Sequence, residues 1–234
     1  MAFPVVEATN TSVEATAVTS HDVALPASIS AGELLLAVLG TTGTLGDSFG
    51  GITAPAGWSE ELDANELGLE SRTADGGEGA SATFTSADSA TSGHNSYRIS
   101  GQHGDVEIAT AGFTNDPPNL TPSWGAADTL WIAGVVTGDT SGNVDVTVAP
   151  TNYSGLIKTV QVAGGINYRV ATAWRQLNAA SENPGAFTVT DSGSPFPIIA
   201  FTIAVRPPAV ITPPVKQNET TNPSFRYRTR MIAT

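Results

Sequence analysis

Histidine, serine and carboxylate side chains are the first candidates for chemistry, and here their spacing serves it badly. The three histidines are His21, His94 and His103, and no HExxH or HxH motif joins them into a metal site. Exposed loops or strand edges are the expected places for all three. There is no GxSxG setting for an activated serine. Glu60, Glu61, Asp63 and Glu66 crowd one short stretch, but a glycosidase needs two carboxyls about 5–9.5 Å apart across a cleft. An acidic, solvated loop is the simpler reading. Asp139, Asn143 and Asp145 in "TGDTSGNVD" could approach a Ca²⁺ ion, without the glutamate that closes an EF-hand loop. "TADGGEGA" carries turn signals but neither the Lys nor the Ser/Thr of a phosphate loop, and "DSGSP" reads as a hairpin turn. The expectation is therefore no catalytic residue, no metal and no cofactor.

Tryptophan offers a different chemistry, stacking on sugar rings. Of Trp58, Trp124, Trp131 and Trp174, Trp131 lies inside an apolar run and Trp58 at a corner matched later by Tyr153. Core packing is the expected role.

Composition narrows the class further. The 234 residues are 40% hydrophobic but only 14% charged, with a net charge of −12 and no cysteine. Disulfides and thiolate metal sites are excluded, and such an acidic surface repels nucleic acid. "MAFPVVEATN" has neither the basic nor the apolar region of a secretory leader, and no run is long enough for a membrane helix. The charge is uneven: residues 207–234 carry +3 and residues 1–206 carry −15.

The elements that must hold these side chains read as strands. Short runs of Val, Ile, Thr and aromatics alternate with Gly, Pro, Asn, Asp and Ser clusters. "LLLAVL" and "IIAFTIAV" are nearly unbroken apolar runs, as central strands covered on both faces require. "WSEELDANELGLE" is the nearest helical candidate, and its Gly68 argues against it. The chain also repeats itself. "ELLLA" (33–37) matches "TLWIA" (129–133), "TAPAGW" (53–58) matches "VAPTNY" (148–153), "GASATFT" matches "PGAFTVT", and "SYRISG" matches "IAVRPP". Two halves, about 20–113 and 114–206, would each present one apolar face to the other. The expected fold is all-β: an antiparallel β-sandwich of jelly-roll type spanning 1–206. "TNDPPNLTP" would serve as the crossover; two small tandem sandwiches are the alternative.

Beyond residue 206 the composition changes. The Pro pairs of 207–234 favour extended polyproline conformers, and "PSFRYRTRMIAT" could form a strand only against an acceptor edge. This reads as an extended C-terminal arm.

Residues 20–206 resemble a family of tailed-bacteriophage virion proteins. The resemblance rests on "LPASISAGELLLAVLG", "ITAPAGW", "TFTSADSATSGHNSYRISG", "LTPSWGAADTLWIAGVVTGD", "AWRQLNAASENPGAFTV" and "AFTIAVRP". It implies a non-enzymatic β-sandwich of a phage particle, of the kind found as head decoration, head-fibre or tail-associated proteins, without specifying where on the particle. The expectation is a capsid decoration or cement protein on the outer head surface, anchored by extended terminal segments. The expected partners are the major capsid protein and sister copies in a homotrimer, with no nucleic acid and no membrane. The candidate anchors are Phe225, Arg226, Tyr227, Arg228, Arg230 and Met231 in the arm, and Phe3, Val5 and Val6 at the N-terminus. The alternative is a module of a tail fibre or head spike that binds host glycan; a glycoside hydrolase is the weakest rival.

Overall fold

The computed structural model describes residues 2–43, 46–140, 143–162, 166–191 and 196–209. Among them the regular elements are thirteen strands, with no α-helix. In chain order they are β1 (Val5–Ala24), β2 (Leu34–Gly40), β3 (Ile52–Thr53), β4 (Ser59–Asp63), β5 (Leu67–Thr73), β6 (Ser81–Ser100) and β7 (Val106–Gly112). Then come β8 (Ala127–Asp139), β9 (Val144–Val148), β10 (Ser154–Lys158), β11 (Asn167–Ala179), β12 (Thr188–Asp191) and β13 (Phe196–Val205). All pairings between them are antiparallel. The stretch "WSEELDANELGLE" is the β4–β5 hairpin.

One sheet runs β1-β6-β2-β5-β4, with β3 beside β6; the other runs β10-β11-β8-β13-β7, and β9 and β12 form a separate ribbon. Read from β7, the second sheet has the strand order of the first. An edge strand meets the last strand of its segment, then the central apolar strand, then a hairpin partner and a second edge. A jelly roll sends successive strands to alternate sheets, whereas here β1 to β6 all stay in the first. The chain also changes sheet earlier than the repeat suggested. It crosses between Ser100 and Val106, and residues 114–122 link β7 to β8 within the second sheet.

The two sheets share one core. Leu34, Leu36, Val38, Leu67, Leu69, Tyr97 and Ile99 of the first pack against Leu130, Ile132, Val136, Tyr168, Val170, Phe201 and Ile203 of the second. Strand alternation sends the intervening residues outward, where each sheet has its own cap. On the first sheet, Leu35, Ala37 and Leu39 meet Phe49, Ile52 and Phe84. On the second, Trp131, Ala133 and Val135 meet Val146, Tyr153 and Phe187. This is why β2 and β8 are apolar at almost every position: both faces are buried. Gly134 faces Phe201 across the β8–β13 pair, and a Cβ there would lie 2.0 Å from the Phe201 ring. Only a glycine lets the ring lie flat on the sheet.

Candidate functional site

The N-terminus is part of the body rather than an arm. Val5 and Val6 open β1 opposite Ser100 and Ile99. Phe3 is half-buried, and the Pro4 carbonyl accepts from Gln176 Nε2 at 2.8 Å. Val6 packs against the shared core, which leaves Val5, 43% exposed, as the outward-facing valine of the pair. Within the chain this segment forms the start of a strand. Phe225, Arg226, Tyr227, Arg228, Arg230 and Met231 lie outside the described residues.

The histidines correct the expectation of exposed loops and edges. His21 and His94 are both fully buried, joined by serines into one string. Ser86 Oγ donates to the Asp88 carbonyl at 2.6 Å, so its oxygen accepts from His21 Nε2 at 2.8 Å. Ser92 then donates to His21 Nδ1 at 2.8 Å and accepts from His94 Nε2 at 2.7 Å. Ser12 completes the string against His94 Nδ1 at 2.9 Å. Each imidazole needs only one N–H for this, so both are satisfied while neutral. Burial lowers the pKa of His94 to about 3 and also lowers that of His21. Ser92 lies between two imidazoles as a nucleophile would. It is fully buried, however, and no carboxylate orients either ring among the described residues. The string ties β1 to β6. His103, at the surface, lies 3.3 Å from Asp105.

The four tryptophans divide among three hydrophobic clusters. Trp58 belongs to the cap of the first sheet, Trp124 and Trp131 to the cap of the second, and Trp174 to the margin of the shared core. Trp58 meets Phe84 edge-on at 5.2 Å, and Trp174 meets Tyr97 edge-on at 5.9 Å. Trp131 Nε1 donates to the Leu177 carbonyl at 3.1 Å. Among the described residues, hollows of about 250 to 320 Å³ open at the surface, and of the four best formed none is lined by two carboxylates. In the candidate calcium loop, Asp145 is engaged by Lys158 Nζ at 2.6 Å. No three His, Asp or Glu groups are placed to hold a metal among the described residues.

Of the carboxylates that sequence placed in a solvated loop, Glu60, Glu61 and Asp63 instead sit on an edge strand, and Glu66 lies in the turn that follows it. β4 ends its sheet, so one side of its backbone has no strand neighbour among the described residues. A bulge at Glu61 sets Glu60 opposite Glu70 and Asp63 opposite Gly68. Glu70 and Gly68 are two residues apart on β5, so Glu60, Asp63 and Glu70 share one face. It is the outer face, because Glu70 also stands opposite Ala37 of the cap cluster. Glu70 is fully buried, and neither of its carboxyl oxygens has a hydrogen-bond partner among the described residues. Burial first, then the charges of Glu60, Asp63 and Glu61, raise its pKa to about 8. Burial also raises the pKa of Glu61, with Asp105 adding to it, against a hydrogen bond from Ser71 at 2.5 Å. Like charges facing each other across a strand pair oppose pairing, and a neutral Glu70 relieves that here. None of Glu60, Glu61, Asp63, Glu66 and Glu70 has an ion-pair partner among the described residues. The basic side chains there are engaged elsewhere: Arg72 with Asp75, Arg98 with Glu33, Arg175 with Glu182 and Arg206 with Asp105.

No family model matches the chain, and no curated protein or solved structure is significantly similar to it. The geometry alone therefore offers one functional candidate, a negative and unpaired strand edge. Sequence reasoning found four of its five acids and missed Glu70, whose partner strands follow only from the register.

Proposed function

We propose that this chain is a structural protein of a tailed-phage particle, a decoration or cement protein on the outer surface of the head. The observation that carries the assembly role is the division of charge. An all-strand body of −15 with an uncompensated acidic edge precedes an arm of +3. Opposite charges on one chain suit contacts between copies, or between a copy and a shell, more than they suit a soluble enzyme. Placement on a phage particle rests on the resemblance carried by residues 20–206, and the trimer expected for such proteins comes from the same source. A weak contact becomes tight when several copies engage together, so a modest arm is enough to hold a body on a lattice.

The test uses particles stripped of this protein. Added full-length chain should sediment with them, and a chain ending at Pro208 should stay in the supernatant while keeping its circular dichroism spectrum. Full attachment of the shortened chain would move the anchor to the body. Electron microscopy of decorated particles should then place the added density on the head.

A further inference from the structure

We propose that the arm of one copy adds as a strand, through residues 224–231, to the open β4 edge of a neighbouring copy. The proposal rests on the assembly reading above and names the partner surface that the reading leaves open. Four observations meet there.

The first is that β4 is unpaired on one side, so its backbone groups can accept a further strand. The second is charge without compensation. Glu60 and Asp63 are exposed on the outer face of this edge, with Glu70 buried beside them and, among the described residues, without a partner for either oxygen. An arriving cation would pair with the two exposed acids and offer the buried carboxyl group beside them the hydrogen-bond donor it lacks.

The third is the alternation of the arm. Arg226, Arg228 and Arg230 recur at every second residue, so in a strand they share one face, and Phe225, Tyr227 and Met231 share the other. The edge has two faces to match. Glu60 and Asp63 point outward, while Leu62 packs at the margin of the shared core, as Val106 and Ile108 of β7 also do. Arginines out and aromatics in would meet complementary neighbours on both faces.

The fourth is reach. The arm leaves β13 at Arg206, which Asp105 holds at 2.6 Å beside the start of β7. The residues between Ala209 and Ser224 can span about 50 Å when extended. The Pro pairs at 207–208 and 213–214 favour extended conformers, which suit a neighbour better than a tight return to the same edge.

Sedimentation velocity of the purified full-length chain tests this without any particle, so its failure is separable from failure of attachment. The wild-type chain should self-associate and dissociate as salt shortens the screening length below about 10 Å. A chain with Arg226→Glu, Arg228→Glu and Arg230→Glu should associate at least about tenfold more weakly, and so should one with Glu60→Lys and Asp63→Lys. An equimolar mixture of the two should recover association, because the acidic arm of one then meets the basic edge of the other. If Asp63→Lys disturbs the fold, Glu60→Lys alone serves, since that side chain is exposed. A wild-type chain that stays monomeric at all concentrations overturns the proposal. So does a mixture of folded variants that fails to recover, or a chain ending at Pro208 that associates as well as the full one.

Discussion

Tyr97 and Thr172 join the two sheets through a hydrogen bond in the middle of the shared core. The phenol of Tyr97 donates to Thr172 Oγ1, which also accepts from Asn95 Nδ2 at 3.0 Å. All three side chains are fully buried. Thr172→Val would leave two buried donors unpaired and should cost about 2–4 kcal/mol, whereas Tyr97→Phe removes one donor and should cost about 1 kcal/mol. Urea unfolding of the two variants checks the order. An equal cost would mean that Thr172 is not the shared acceptor.

The core is built jointly, and neither sheet can keep its apolar face from water alone. A chain ending at Gly104 would expose the inward side chains of Leu34, Leu36, Val38, Leu67, Leu69, Tyr97 and Ile99. It should show no dispersed amide NMR spectrum and no cooperative unfolding. A folded first half would separate the sheets into independent units.

Stability should fall on acidification through the histidine range. His94 and His21 have folded pKa values below their unfolded value of about 6.5. Above that pH both states are neutral and the histidines make no difference. Below it the unfolded chain takes up protons and the folded one does not. Each pH unit then costs up to about 1.4 kcal/mol per histidine, for His94 down to its folded value of about 3. The urea midpoint of His94→Gln should fall less steeply between pH 6.5 and 4 than that of the wild type.

Glu70 has the opposite sign. Its folded pKa of about 8 exceeds the ordinary value of 4.5, so its contribution is fully present below 4.5 and is lost as pH rises toward 8. Glu70→Gln should match the wild type at pH 4 and exceed it at pH 7 by an amount on the order of 3 kcal/mol. Thermal melts across that range would show the two curves parting as the pH rises. Curves that stay together would mean that Glu70 finds a partner.

Much of the fold was legible because it follows from local rules. Apolar runs in β2 and β13 announced strands covered on both faces, and they are. The matched corners "TAPAGW" and "VAPTNY" form the same turn. The Trp58 amide donates to the Pro55 carbonyl at 3.1 Å, and the Tyr153 amide to the Pro150 carbonyl at 3.0 Å. The residue before each aromatic, Gly57 or Asn152, has a positive φ. Gly and Asn are the residues that adopt that conformation most readily, so the corner was written in residue types.

What alternation, turn chemistry and charge dictate, this sequence determined unaided: an antiparallel all-strand body, two-faced central strands, an acidic surface and a basic arm. Only the tertiary structure decided that β7 joins the second sheet, that His21 and His94 meet through Ser92, and that Glu70 stands opposite Glu60. Each of these depends on which distant strands pair and in what register, and a shift of one residue would reverse every side chain's face. Register is set by the fit of whole faces to one another, which no local stretch of the chain contains.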